Sequence, residues 1–248
     1  MTRYDFTTQP NRLDQNTMKW HEAESNPELL ELWVADMDFL PVPEIRDAVI
    51  NYAETHIFGY PYPSEELYQS IINWEKNQHG YAVDKESIVL IEGVVPAIST
   101  AIQAFTKEGD AVLINTPVYP PFARSVRLNN RRLIENSLVK VNGHFEIDFE
   151  QLERDIVEND VKLYVFCSPH NPGGRVWTKE ELTKVADLCQ KHGVLLISDE
   201  IHQDLALYGN KHISMNTISD AYKDFTLVLS SATKTFKYCW YQKQFYYH

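Results

Sequence analysis

Three cysteines, Cys167, Cys189 and Cys239, are all that 248 residues contain, and no two form a C-x-x-C pair. This shortage excludes a disulfide framework and a thiolate zinc site, and leaves the three as small reduced apolar residues. Positive charge is also scarce, with 23 Lys and Arg against 35 Asp and Glu, a formal charge of −12. Such a field repels phosphate backbones and acidic lipid headgroups, so neither nucleic acid nor a membrane surface is expected as a partner. No run approaches the ~20 apolar residues of a spanning helix, and Met1-Thr2-Arg3-Tyr4-Asp5 lacks the apolar stretch of a secretion signal. The sequence therefore reads as cytoplasmic. Neither G-x-G-x-x-G nor G-x-x-x-x-G-K-[ST] occurs, which leaves a Rossmann dinucleotide site and a P-loop without support. Internal repeats and low-complexity linkers are absent as well.

What is there reads as an ordinary globular chain. Hydrophobic residues at 44% and charged residues at 23% sit near the averages for folded domains, and the length points to one large domain or a large domain with a partial companion. Residues 1–45 are irregular until Pro43, which is placed to open a helix over 44–55. From Ile88 onward, short β-branched runs alternate with amphipathic stretches. Ile88–Ile91, Ala111–Ile114, Arg132–Val139, Val161–Phe166, Val194–Ser198 and Thr226–Ser230 read as strands. Their near-continuous apolar character predicts an α/β fold with a mostly parallel sheet covered by helices on both faces. Thr178 and Glu181 have the spacing of a capping box, for a helix presenting Leu182, Val185, Ala186 and Cys189 on one face and stopped by Gly193. Ligands of such a sheet lie at the carboxyl ends of its strands.

Each strand end carries a candidate group and a plain structural alternative. Glu92-Gly93-Val94-Val95-Pro96 is either a phosphate cradle of helix N-terminal amides or an ordinary turn. Tyr119 is placed to stack on a flat heteroaromatic ring or to pack its loop down. Asn171 lies in a turn made rigid by Pro169, Pro172, Gly173 and Gly174, either as a ligand group or as a turn former. Asp199-Glu200-Ile201-His202 puts acids and an imidazole at the expected ligand edge, with a helix-capping Asp as the alternative. Lys234, flanked by hydroxyls and apolar residues, suits an amine held for imine formation or a solvated surface charge.

Jointly, Tyr119, Asn171, Asp199, Ser231 and Lys234, each at a strand end and in that order, resemble the pyridoxal-phosphate site of the class I/II aminotransferase fold. The segments Trp33–Phe39, Phe58–Tyr60, Ser168–Trp177, Ser198–His202 and Ser231–Phe236 resemble the cystathionine β-lyase (cysteine-S-conjugate β-lyase) subfamily, over roughly residues 4–236. The resemblance implies that Lys234 is the Schiff-base lysine and that Asp199 pairs with the pyridinium nitrogen, keeping it protonated. It further implies that Asn171 bonds the ring's phenolic oxygen, that Tyr119 stacks on the ring, and that Ser231 with the amides of Val94 and Val95 holds the phosphate. His202 stands on the cofactor side where many aminotransferases have a tyrosine three residues after the aspartate. Tyr60 would reach the phosphate of a neighbouring subunit, which implies a homodimer. The acidic pair Asp36 and Asp38 becomes a substrate-channel loop by this resemblance, and no metal is expected. The implied reaction cleaves cystathionine or a related amino-acid thioether to a thiol, pyruvate and ammonia. An aminotransferase sharing the same cofactor residues is the alternative, and a non-catalytic remnant or cofactor-binding fragment is the alternative of another class.

The resemblance divides the chain into an arm with part of a small domain (1–45), an incomplete cofactor-binding large domain (46–236) and an aberrant tail (237–248). The family continues past Phe236 with Asn-Ile-Ala-Gly, into a C-terminal part that carries the arginine for the substrate carboxylate. Back-translating the tail with one particular choice among synonymous codons, and deleting one adenine from codon 237, gives Asn-Ile-Ala-Gly-Thr-Lys-Asn-Asn-Phe-Ile-Ile. The expectation is therefore a frameshift or a sequencing error at Lys237, with a natural short C-terminal strand of aromatic residues as the alternative, and a chain that is inactive and poorly soluble or partly unfolded as it stands.

Overall fold

The computed structural model describes residues 4–13, 15–26 and 28–237, and the chain divides into two compact units, one of Met1–Tyr62 with Ala232–His248 and one of Pro63–Ser231. The tail at 238–248, with Cys239, lies outside the described residues. In the smaller unit α1 (Pro43–Thr55) opens on its proline, as expected, and buries none of its residues. The segment Trp33–Phe39 is held by cations: Arg12 binds Asp36 at 2.6 Å and Asp38 at 3.0 Å, and Lys19 binds Asp38 at 2.6 Å. Both carboxylates are thus neutralised by side chains. Among the described residues no group of three or more His, Cys, Asp or Glu is arranged to hold a metal ion.

The larger unit begins with α2 (Glu65–His79), capped at its start by the Ser64 side chain and at its end by Gly80, φ +67°. In chain order there follow α3 (Val94–Phe105), β1 (Ala111–Thr116), α4 (Pro121–Leu128), β2 (Arg132–Ser137), β3 (Val139–Val141), β4 (His144–Glu146), α5 (Phe149–Glu158), β5 (Val161–Cys167), α6 (Lys179–His192), β6 (Leu195–Asp199) and β7 (Thr226–Leu229). The last helix, α7 (Ala232–Phe236), belongs to the smaller unit. Five strands form one sheet in the order β2-β1-β5-β6-β7, and every pairing within it is parallel.

Side chains alternate between the faces of a strand, and here both faces are apolar. Val112, Ile114, Leu163, Val165 and Ile197 pack with Ile98 and Ile102 of α3 and with Phe122 and Val126 of α4. Leu113, Tyr164, Phe166 and Leu196 pack on the other face with Leu152, Leu182, Val185 and Trp177. Each fully buried side chain of this kind stabilises the fold by roughly 1.5–3 kcal/mol, and helices on both sides are what a parallel sheet requires. A polar chain inside this core keys the register. The Tyr164 hydroxyl donates to Asn115 Oδ1, Asn115 donates to Asn136 Oδ1 at 3.0 Å, and Asn136 donates to Asp155 Oδ2 at 2.8 Å. Asn115 and Asn136 are register partners of β1 and β2, so a one-residue slip would break the chain of bonds.

The capping box at Thr178 and Glu181 is present, and α6 ends at Gly193 with φ +65°. Two strand expectations are corrected. Ile88–Ile91 is not a strand: the segment has no paired neighbour among the described residues, and Val89, Leu90 and Ile91 are exposed. A strand exists only where another strand takes its backbone groups. The run Arg132–Val139 ends as a sheet strand at Ser137. Beyond it the chain turns away into the β3–β4 hairpin, whose Asn142 and Gly143 both have positive φ, as a two-residue hairpin turn requires. Among the described residues no helix is long and apolar enough to cross a membrane.

Candidate active site

Connection order marks a candidate site. From β1 the chain passes through α4 to β2 on one side, and the next strand of the sheet in sequence, β5, pairs on the other side of β1. The crevice of an open α/β sheet lies at such a reversal, beyond the carboxyl ends. Tyr119 stands three residues past β1 and Asn171 four residues past β5; Asp199 is the last residue of β6, and Ser231 stands two residues past β7. The four strands are consecutive neighbours, so with a strand spacing of ~4.8 Å the four groups span about 15 Å of one sheet edge.

The Asn171 turn is held from within. Cys167 Sγ donates to Pro169 O at 3.3 Å and accepts from the Asn171 N–H at 3.4 Å, while its carbonyl accepts from Trp177 Nε1 at 2.9 Å. Burial, with the Asp199 carboxylate adding to it, pushes the Cys167 thiol far above the ordinary thiol range, so this cysteine is a spacer and not a nucleophile. The half-buried Asn171 side chain enters none of the hydrogen bonds among the described residues. His170 is buried, and its Nδ1 accepts from the Gly173 N–H at 3.2 Å. A Cβ on Gly173 would lie 2.7 Å from that nitrogen, so the close approach explains the glycine.

Burial lowers the His170 pKa to about 4. Above pH 6.5 neither the folded nor the unfolded chain protonates it. Between 6.5 and 4 the unfolded chain binds a proton that the folded one refuses, so this residue makes stability fall as pH falls. Between pH 7 and pH 5 the wild type is expected to lose about 2 kcal/mol more unfolding free energy than His170→Gln, as read by urea titration. Equal losses would mean that folded His170 carries a proton.

Asp199 and Glu200 divide their work. Asp199 is 4% exposed; its Oδ1 accepts from the Ile201 N–H at 3.1 Å and its carbonyl from the Ser168 N–H at 2.9 Å, which ties the β6 end to the Asn171 turn. Glu200 is wholly buried and structural. It accepts from Ser198 Oγ at 2.8 Å and the Met215 N–H at 2.9 Å, and pairs with His212 at 2.9 Å. His202 stands at the residue before the turn Gln203–Leu205 and gives it no side-chain cap. Gln203, which carries no sequence motif, is buried and bonds both Glu75 and Ser230.

Gly93 adopts φ 143°, ψ 161°, a conformation open only to glycine. It leaves the start of α3, at Val94 and Val95, without a side-chain cap. Tyr119, two-fifths exposed, meets Phe122 edge to face at 6.2 Å. Lys234 lies on α7 and Tyr60 is fully exposed; both belong to the smaller unit.

Residues 27–238 match the family described as aminotransferase class I and II. Cystathionine beta-lyase PatB of Bacillus subtilis is 40% identical over 235 residues, covering 94% of this chain and 61% of the relative. A solved structure of a PLP-bound putative aminotransferase from Clostridium difficile 630 is 43% identical with a TM-score of 0.89, covering 94% of this chain and 61% of the other. Cystalysin from Treponema denticola, solved with a pyridoxal 5′-phosphate cofactor, is 38% identical with a TM-score of 0.90, over 95% and 61%. The chain thus spans about three fifths of the length of the proteins it matches.

Proposed function

The chain belongs to the class I and II aminotransferase family, a family of enzymes, and from that premise we propose that the protein is a pyridoxal-phosphate-dependent carbon–sulfur β-lyase. It would convert cystathionine, or a related cysteine S-conjugate, and water into a thiol, pyruvate and ammonia. The observation that carries the reading is the set of four candidate groups on adjoining strand ends at the reversal of the sheet. The 40% identity to a cystathionine β-lyase directs it to elimination.

The residues present fit the cofactor. Asp199 is a buried acid suited to a protonated ring nitrogen, Asn171 has an uncommitted amide, and the glycine-only turn at Gly93 leaves helix amides free of a side-chain cap. When bound, the cofactor supplies an electron sink for a carbanion. Asp199 would hold the proton on the ring nitrogen, and Asn171 would donate to the phenolic oxygen. Tyr119 would cover one ring face, with His202 beside the acid. Ser231 and the amides of Val94 and Val95 would bind the phosphate. Lys234 would carry the cofactor and act as general base, taking the Cα proton of the amino acid.

The same reading makes residues 1–45 an arm with part of a small domain and 46–236 the cofactor domain, with 237–248 as a tail. It makes the protein a cytoplasmic homodimer, in which exposed Tyr60 reaches the partner's phosphate. The protein extended to the full length of its relatives is expected, on incubation with pyridoxal phosphate and cystathionine, to release homocysteine and pyruvate in equal amounts, whereas the 248-residue chain by itself is expected to release neither. Amino transfer that needs a keto acid and frees no thiol would favour the aminotransferase reading, which the likeness to the Clostridium structure supports. Cofactor binding without either product would favour a binding fragment, and either outcome overturns the lyase reading.

A further inference from the structure

We propose that Gln203 is a positioning residue for the phosphate-binding turn, extending the β6–β7 ladder by one side-chain rung and thereby fixing Ser230 next to Ser231. The proposal rests on the cofactor reading above. Strands β6 and β7 run in parallel register to Asp199 and Leu229, and the last backbone rung described between them is the Glu200 N–H on Leu229 O at 2.7 Å. Beyond it one chain continues towards His202 and the other towards Ser231. The Gln203 amide links the two, donating from Nε2 to Ser230 Oγ at 2.9 Å.

The other Nε2 hydrogen goes to Glu75 Oε1 of α2 at 2.7 Å, so both donors of the amide are used. Its Oε1 is buried without a partner. Turning the amide over would aim that oxygen at the Glu75 carboxyl and abandon both bonds, so the orientation is set. Alongside, Trp74 Nε1 and His79 Nε2 of α2 meet the Asp204 carboxylate at 3.1 and 2.8 Å. The helix therefore grips two successive residues of the segment that follows the acid Asp199. Gln203 is 4% exposed, too deep to serve as a surface polar group. The arrangement makes α2 a fixed post against which the Asp199 segment and the Ser231 turn keep their spacing, although α2 itself carries no proposed cofactor ligand.

The test separates phosphate from ring. Wild type and Gln203→Met are titrated with pyridoxal phosphate and with pyridoxal, following the visible absorption of the bound ligand, and the unfolding of the ligand-free proteins is followed by circular dichroism. If wild type takes up neither ligand saturably, the cofactor reading itself fails. With wild type binding, Gln203→Met is expected to raise the dissociation constant for pyridoxal phosphate about tenfold, as loss of one positioned hydrogen bond does, and to leave that for pyridoxal unchanged. Ser230→Ala should reproduce the change, and the double variant should add nothing to it. Equal weakening of both ligands would mean general loosening, and no weakening of either would mean no positioning; each overturns the proposal. Should Gln203→Met fail to fold, Ser230→Ala removes the same rung at an exposed residue, and an unaltered affinity for pyridoxal phosphate in that variant overturns it equally.

Discussion

In the protein extended to the length of its relatives, Lys234→Ala is expected to lower thiol release from cystathionine by roughly 10³-fold or more, because under the proposed lyase reading one substitution would remove both the amine that retains the cofactor and the base that takes the Cα proton. Dialysis should strip pyridoxal phosphate from the variant while wild type keeps its visible band. Lys234 lies on the five-residue helix α7, outside the buried core, so unfolding of the ligand-free variant should match that of wild type. A small added amine should restore part of the proton transfer, since the base is then supplied from solution. A variant that keeps both its colour and its turnover would remove Lys234 from the chemistry and leave the lyase mechanism without its base.

Glu200→Ala is expected to destabilise the larger unit by several kcal/mol, since each buried polar group left without its hydrogen bond costs about 1–3 kcal/mol. The Glu200 carboxylate gathers Ser198, the Met215 N–H and His212, and both it and His212 are nearly or wholly buried. Removing it leaves two donors and an imidazole without a partner in a site that water does not reach. Urea unfolding at neutral pH reads the loss. A small loss at Glu200 would mean that the loop carrying Met215 is held by something other than this carboxylate.

The placement of the candidate groups was legible because they sit at fixed offsets from strand ends. Tyr119, Asn171, Asp199 and Ser231 follow apolar runs that end where expected within a residue or two. Gln203 was not legible. A glutamine on a short loop has no periodicity, and its partners Glu75 and Ser230 lie 128 and 27 residues away. Helices α2 and α5 also stand outside the sequence expectations, although Ser64 and Asp148 cap them and Gly80 stops the first.

What the sequence determined by itself acts over a few residues. The Thr178–Glu181 box and the Gly193 stop frame α6, and the unbroken apolar runs made a sheet buried on both faces the one way to hide them. Tertiary structure alone decided whether Ile88–Ile91 became a strand, because pairing needs a neighbour that a segment's own composition does not supply. It also decided which of two adjacent carboxylates is enclosed by Ser198, His212 and Met215. Asp199 and Glu200 are chemically alike, and only the direction in which each leaves the end of β6, set by the strands and loops around it, separates the candidate ligand acid from the one enclosed in the core.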